Sequence, residues 1–198
     1  MKPIVFLLAL AAICGGCVST YTANSVSRST QLSTNATALI ALPEDGHFEK
    51  IPYPGSGHKT ALAVSKAFAK HLPRVDMTPE AGSLSQHLEQ GRAEKFDYLV
   101  IPTVVHWEDR ATEWSGRPDR IEIEVRTVEV NSGETLALGS IKGKSKWATL
   151  GGDVPEDLLA TPLGIYVDWL FSPIGTALPL PEKPLHNQPV QSPKATRQ

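Results

Sequence analysis

A histidine and four acids lie close together in one stretch of the chain: His106, Glu108, Asp109, Glu113 and Asp119. Carboxylates beside an imidazole can bind a divalent metal or act in general acid–base catalysis. A strand that continues through His106 and Glu108 places both on one face and turns Asp109 away, so the spacing argues against a preformed site. We therefore assign no catalytic or metal-binding residue. An enzyme that uses His106, Glu108 and Asp109 is an alternative.

The same stretch also carries cations and tryptophans. Arg110, Arg117 and Arg120 can neutralise the acids in a salt-bridge network, which would make the stretch a structural clasp between two strands. Trp and Arg are also frequent anchors of protein interfaces, so a loop that recognises a partner is the other interpretation. The candidates for partner binding are Trp107, Glu108, Asp109, Arg110, Glu113, Trp114, Arg117 and Asp119.

Two further patterns suggest anion binding. The stretch Pro54–Thr60 resembles a phosphate-binding loop, but His58 separates the glycine from the lysine that must follow it. A loop that caps a helix is the better interpretation, and the free amides of that helix could attract an anion weakly. Lys142, Lys144 and Lys146 alternate, so a strand places them on one side. They indicate a solvated face that discourages edge pairing or, alternatively, a surface for acidic glycans or lipid headgroups.

Apolar patterns predict the elements that hold the first half of the domain. Thr37–Leu42 is a short apolar run and predicts a buried strand. Residues 60–72 carry apolar side chains at helical spacing and predict the first helix. Arg74–Met77 predicts a second short strand. Ser83-Leu-Ser-Gln86 is a capping-box pattern, which predicts the start of a second helix with Leu84 facing inward.

The second half predicts an antiparallel meander followed by a helix. Tyr98–Val105 is continuously apolar and predicts a central strand, in which Pro102 requires an edge-facing position or a bulge. Arg120–Val125 alternates strictly, so one face of that strand is wet. Glu134–Trp147 predicts the next strand, which would pair antiparallel with the strand that begins at Arg120. Thr161-Pro162 starts the last helix, because proline suits the first turn.

These elements predict an α/β (α+β) fold in the order β-α-β-α-β-β-β-α. We expect a single two-layer domain over residues 36–171, with a mixed sheet, a C-terminal antiparallel meander and helices packed on it. Residues 17–35 are small and polar and predict a flexible tether. Residues 172–198 are rich in proline and are expected to be disordered or extended.

Cys17 ends a short apolar segment at the N-terminus. Residues 4–13 follow a single cation and would reach about 15 Å as a helix, half of what a membrane span needs. Residues 1–16 therefore predict a secretory signal peptide. Gly15-Gly16-Cys17 resembles a bacterial lipobox, which implies that the Cys17 thiol receives a diacylglycerol and that the lipoprotein carries fatty acyl chains such as palmitate. Cys14 is the less suitable acceptor. Val18 is not aspartate, which favours the outer membrane.

Composition narrows the classes of function further. The chain has 198 residues, with 19 basic and 21 acidic side chains and a net charge of −2. This balance lacks the electrostatic footprint of a nucleic-acid-binding protein. Both cysteines lie in the signal and the lipid site, so neither a disulfide nor a cysteine metal site is expected in the mature chain. No cofactor is expected.

Two stretches, His106–Arg120 and Gly143–Leu158, are similar to an uncharacterised family of small proteobacterial lipoproteins that carries a domain of unknown function. The likeness runs from about Leu39 to Phe171 and brings no known reaction or ligand. The order of elements also resembles the small α/β domain of the N-terminal part of TolB, of the curli secretion lipoprotein and of lipoprotein activators of peptidoglycan synthases.

We therefore expect a non-enzymatic lipoprotein on the periplasmic face of the outer membrane. It would be a binding or structural module of the cell envelope, held by its lipid, with a protein or an envelope polymer as its partner. The alternatives are a subunit of an envelope assembly or secretion machine, and a periplasmic hydrolase or metal-dependent enzyme.

Overall fold

The computed structural model describes residues 19–109, 118–145 and 155–179. The strands are β1 (Thr20–Arg28), β2 (Thr37–Ile40), β3 (His47–Phe48), β4 (Ile51–Pro52), β5 (Arg74–Met77), β6 (Tyr98–Glu108), β7 (Arg120–Glu129) and β8 (Thr135–Lys144). The helices are α1 (Ser56–Phe68), α2 (Leu84–Ala93) and α3 (Ala160–Phe171), and a short 3₁₀ helix at Pro155–Leu158 precedes α3.

Six strands form one mixed sheet in the order β1-β8-β7-β6-β2-β5, and β3 and β4 form a separate small hairpin. β6, β7 and β8 make an antiparallel meander, and β1 adds antiparallel to β8. β2 lies parallel to both β5 and β6. The predicted α/β (α+β) class, the mixed sheet and its C-terminal meander are confirmed.

Local sequence signals act where they were predicted. The Ser83 N–H donates to Gln86 Oε1 at 2.8 Å, and the Gln86 N–H donates to Ser83 Oγ at 3.4 Å, which completes the capping box of α2. Pro102 pairs with Val125 of β7, whereas the pairing of β6 with β2 ends at Val100. The proline therefore occupies a position where β6 has no second neighbour, as its missing N–H requires.

α1 and α3 cover one face of the sheet, which we call the closed face. The predicted buried side of the last helix is confirmed, because Leu163, Tyr166, Val167 and Leu170 are fully buried. A Cβ at position 139 would overlap the ring of Tyr166, so only glycine permits this approach of α3 to β8. Burial raises the pKa of the Tyr166 hydroxyl far above its ordinary value.

α2 covers only part of the opposite face, which we call the open face. Leu88 of α2 packs with Leu39, Leu99 and Val128 in a second, smaller apolar cluster. The predicted two-layer packing thus describes the antiparallel half of the sheet, whereas helices cover both faces over β2 and the start of β6. The remainder of the open face carries the polar residues of the alternating strands.

The predicted flexible tether over residues 17–35 is wrong for residues 20–28, which form β1. The strand pairs with β8 from Thr20 opposite Lys144 to Arg28 opposite Ala137. Ala23 points into the core of the closed face and is 1% exposed. The sequence of β1 lacks an apolar run because an edge strand of small polar residues buries few side chains, and this hid it from pattern analysis.

Arg28 joins β1 to the C-terminal end of α3. Its guanidinium lies 4.0 Å from the centroid of the Trp169 ring and donates hydrogen bonds to the carbonyl oxygens of Trp169 and Pro173. Trp169 lies in the last turn of α3, where carbonyl oxygens lack the N–H partner of a continuing helix, and Arg28 shares its carbonyl with Ser172. The Leu32 N–H donates to the Leu170 carbonyl at 3.0 Å. The first and last described elements of the chain are therefore held together.

The start of the proline-rich segment also packs on the domain. Trp169 Nε1 donates to the Thr176 carbonyl at 2.7 Å, and Leu178 packs against the core of the closed face. The prediction that residues 172–198 are disordered or extended is therefore wrong for residues 172–179. Residues 180–198 lie outside the described residues.

Candidate functional site

Two rows of side chains cross the open face at the end of the sheet where β1 begins. Register alone determines their membership, because directly paired residues of neighbouring strands lie side by side. The outer row is Thr20, Lys144, Arg120 and Glu108, and the inner row is Thr22, Lys142, Glu122 and His106. We call these eight residues the charged end of the sheet.

The charged and titratable side chains of the inner row have partners within the charged end. Lys142 Nζ lies 2.8 Å from Glu122 Oε1, and His106 Nε2 lies 3.3 Å from Glu108 Oε2. The prediction that His106 and Glu108 share one face is thus confirmed. Phe48 of β3 meets the His106 ring edge-on with the centroids 5.2 Å apart. The histidine–carboxylate pair is therefore packed beside the small hairpin, and Glu108 is only 3% exposed.

The outer row brings two cations together. Arg120 and Lys144 face each other directly across β7 and β8, and both are exposed. Glu108, on the other side of Arg120, contacts His106 instead. Within residues 19–109, 118–145 and 155–179, no carboxylate forms an ion pair with either cation. Like charges placed directly opposite each other destabilise a sheet. An anion bound between Arg120 and Lys144 would therefore reduce their repulsion.

The structure separates the candidates for partner binding. Trp107 is 2% exposed and packs in the core of the closed face, so the prediction that it contacts a partner is wrong. The bulge of β6 between Val104 and His106 shifts the alternation and turns this tryptophan inward. Asp109 is exposed, and its carbonyl accepts a hydrogen bond from the Tyr53 hydroxyl at 3.3 Å. Arg110, Glu113, Trp114 and Arg117 lie outside the described residues.

Asp119 has a structural position. It is 7% exposed, its N–H donates to Ser145 Oγ at 2.9 Å, and its carbonyl accepts the Ser145 N–H at 3.0 Å. These two bonds tie the start of β7 to the end of β8. Lys142 and Lys144 share the open face, as their alternation predicted, whereas Lys146 lies outside the described residues.

Asp45 occupies the amides at the start of α1. Its Oδ1 accepts the Gly57 N–H at 2.8 Å and its Oδ2 accepts the Gly55 N–H at 3.0 Å. The stretch Pro54–Thr60 therefore caps a helix, as expected, but a carboxylate of the chain already neutralises its amides, and the expected weak attraction of an anion is wrong. This distant cap also explains why the helix begins at Ser56 rather than near residue 60.

A cleft of about 720 Å³ lies farther along the open face, at the carboxyl end of β2. Its walls come from the segment after β2, the start of α2 and the middle of β6, β7 and β8. Leu84, Ile101, Glu124 and Arg126 are among its lining residues. The prediction that Leu84 faces inward is wrong, because the side chain borders this cleft and is 42% exposed. No sequence motif marks the cleft, because segments far apart in the chain contribute to it.

The topology explains why a cleft forms at this point. The connection from β2 to β5 runs through α1 on the closed face, and the connection from β5 to β6 runs through α2 on the open face. The loops that leave the two parallel strands therefore diverge to opposite sides of the sheet. Ligands of open α/β sheets commonly bind in the crevice that such a reversal leaves outside the carboxyl ends of the strands.

His87 is the buried titratable group of the cleft. It is 5% exposed, and burial lowers the pKa of its imidazole, an effect that a hydrogen bond with the backbone of Gly82 partly opposes. The side chain is therefore neutral at neutral pH and contributes no charge to the cleft. Glu124 and Arg126 supply the charged groups on its sheet wall.

Two kinds of feature are absent from the residues that the structure describes. No three His, Cys, Asp or Glu side chains in that part of the chain come together in a way that could hold a metal ion. Across the same residues, every helix is too short or too polar to cross a membrane.

Several solved structures are similar to this chain at low sequence identity. The PelC dodecamer from Paraburkholderia phytofirmans is 15% identical, with 73% of this chain and 96% of that chain covered and a TM-score of 0.57. Protein XCC0632 from Xanthomonas campestris is 14% identical, with 74% and 92% covered and a TM-score of 0.47. Lipoprotein GNA1162 from Neisseria meningitidis is 13% identical, with 68% and 97% covered and a TM-score of 0.43.

The likeness to PelC concerns the fold alone, and the expected resemblance to TolB in element order gains no support from these structures. No curated protein matches the sequence. The sequence model of a domain of unknown function, DUF4823, matches residues 30–170, in agreement with the expected family and its extent. The chain therefore belongs to the family of proteins that carry the domain of unknown function DUF4823.

Proposed function

We propose that this chain is a non-enzymatic lipoprotein on the periplasmic face of the outer membrane, anchored through Cys17, whose domain binds a protein or an envelope polymer. The observation that carries the proposal is the position of Cys17 relative to the fold. The apolar segment ends at this cysteine, and β1 begins three positions later at Thr20. Cleavage before Cys17 therefore removes no part of the described core.

Metabolic labelling with an alkyne analogue of palmitate tests the anchor. The wild-type chain should carry the label, float with outer-membrane fractions and start at Cys17 by intact mass. Cys17→Ser should lose the label and the membrane association, whereas the matched variant Cys14→Ser should keep both. Label that persists in Cys17→Ser, or an exported wild-type chain that is unacylated, would contradict the proposal.

The cleft is the surface that we propose for the partner. Its volume of about 720 Å³ falls within the range of roughly 300–1,000 Å³ that is usual for ligand sites. Its lining combines apolar side chains such as Leu84 and Ile101 with the charges of Glu124 and Arg126, as sites that fix a ligand's orientation do. It also lies at the point of the sheet where the crossovers diverge.

Crosslinking in cells tests this surface. A photoreactive phenylalanine analogue in place of Leu84 would face the cleft, and the same analogue in place of Leu62 of α1 is the matched control. The two leucines are 42% and 39% exposed, so access of the probe to solvent is similar. A partner of the cleft should crosslink from position 84 and not from position 62. Equal adducts from both positions would count against the cleft.

A subunit of an envelope assembly is the second candidate. The observation that favours it is the shared fold with PelC, whose structure is a dodecamer and whose chain is covered over 96% of its length. Native mass spectrometry of the detergent-extracted protein tests this candidate. A defined oligomer would support it, and a monomer at all concentrations would oppose it.

A further inference from the structure

The structure fixes how far the domain can lie from the proposed lipid. Cys17 precedes Thr20 by three positions, and an extended chain advances at most about 3.5 Å per residue, so the start of β1 lies within about 10 Å of the anchor. β1 cannot lengthen this link by peeling away freely, because it pairs with β8 along its length and Arg28 holds its far end to α3. The domain is therefore held at one end of its sheet.

That end of the sheet carries the two cations of the outer row, which have no ion-pair partner among the described residues. Lys144 lies directly opposite Thr20, and Arg120 is the next residue across the sheet. Strands are about 4.8 Å apart, so both cations lie within about 10 Å of Thr20. Each is exposed, and their mutual repulsion falls when an anion lies between them.

We propose that the charged end of the sheet rests on the membrane that holds the lipid, with Arg120 and Lys144 bound to the phosphate of an anionic phospholipid. The inference rests on the proposed anchor at Cys17. Arg offers a planar fork for two phosphate oxygens, and Lys adds a compact positive charge beside it. Basic residues near a membrane surface are attracted to anionic lipids over a distance of about one Debye length.

This orientation leaves the cleft accessible. Arg126 follows Arg120 by six positions along β7, which places the cleft about 20 Å farther from the bilayer. The charged end of the sheet therefore faces the bilayer, and the cleft lies on the same open face at a greater distance from the bilayer.

Site-specific fluorescence on the acylated full chain tests the orientation. Acylation consumes the Cys17 thiol and processing removes Cys14, so an introduced cysteine is the sole site for a dye. Asp109→Cys places the dye beside the charged end, and Glu134→Cys is the matched variant at the opposite end of the sheet. Both substitutions replace an exposed carboxylate. The length of β8 places the two ends of the sheet about 30 Å apart.

The labelled proteins are placed in phosphatidylcholine vesicles with one quarter phosphatidylglycerol, which also contain a lipid with a quencher on its headgroup. Quenching at position 109 and little at position 134 is expected. Equal quenching at the two positions would indicate that the domain rotates freely on its lipid anchor, and it would overturn the proposal. Intact mass checks acylation separately, so failure of the anchor cannot be mistaken for failure of the orientation.

Charge variants then test the lipid contact. In the Asp109→Cys background, Arg120→Gln with Lys144→Gln should lower the quenching to the level seen in vesicles of phosphatidylcholine alone. The control pair, Lys66→Gln with Lys70→Gln, removes the same charge from an exposed region away from the charged end and the cleft, and it should keep the wild-type quenching. Quenching that survives the first pair, or that falls equally with the control pair, would overturn the assignment of Arg120 and Lys144. Thermal unfolding confirms that each variant is folded.

Discussion

On the closed face, α1 and α3 bury the apolar members of the alternating strands, whereas on the open face α2 covers little beyond β2 and the start of β6. The same strands serve both faces: Ile121, Ile123 and Val125 of β7 point into the core, and the residues between them point to the open face. Both the cleft and the charged end lie on that open side. The comparison indicates that one face supplies stability and that the other is free to carry recognition.

The largest expected difference between the faces is in the cost of truncating a leucine. Leu163 of α3 is fully buried on the closed face, so Leu163→Ala should lower the free energy of unfolding by about 2–5 kcal/mol through lost burial and a cavity. Leu84→Ala, at the edge of the cleft, should cost less than about 1 kcal/mol. Urea unfolding of both variants measures the contrast, and similar losses would refute the division of roles.

Arg28 should matter next, because it secures the edge of the closed face. Arg28→Ala removes the contact with the Trp169 ring and the charged hydrogen bonds to the carbonyls of Trp169 and Pro173, so we expect a loss of about 1–3 kcal/mol. Arg28→Lys keeps the charge without the planar fork and should fall between wild type and alanine. Hydrogen exchange should show faster opening of β1 in Arg28→Ala. Unchanged exchange there would mean that β1 is held by β8 alone.

On the open face, a change at the charged end should act in the opposite direction. Arg120→Gln removes a like charge opposite Lys144 and should raise the free energy of unfolding by about 0.5 kcal/mol at low salt. The gain should shrink at high salt, which screens the repulsion. Arg126→Gln, an exposed control on the same strand, should show no such gain. Destabilisation by Arg120→Gln would show that Arg120 has a favourable partner in the folded chain.

The smallest expected effect is a pH dependence at the cleft. Burial lowers the pKa of His87 in the folded state below its unfolded value of about 6.5, so the unfolded chain binds the proton first as the pH falls. Stability should therefore decline as the pH drops below that value and level off below the folded pKa. His87→Gln should lack this part of the decline, and exposed His58→Gln should retain it. An identical pH profile for wild type and His87→Gln would rule out a buried neutral imidazole.

Local signals in the sequence predicted most of the sheet and the helices. The capping box at Ser83 acts within three residues, and the apolar stripe of α3 follows from helical spacing alone, so neither needs knowledge of the fold. The failures come from contacts between distant segments. β1 becomes a strand because β8 pairs with it, and α1 starts early because Asp45 reaches its amides across ten or more residues.

The sequence by itself determined the order of the elements from β2 onward apart from the β3–β4 hairpin, the wet face of the meander, and a cysteine at the end of an apolar segment, because periodicity and capping depend on near neighbours. Tertiary structure alone decided that Trp107 is buried, that Arg120 meets Lys144, and that the cleft opens beside α2. Each of these depends on strand register or on the face to which a connection runs. A shift of one residue in register moves a side chain to the other face, and no local pattern specifies that choice.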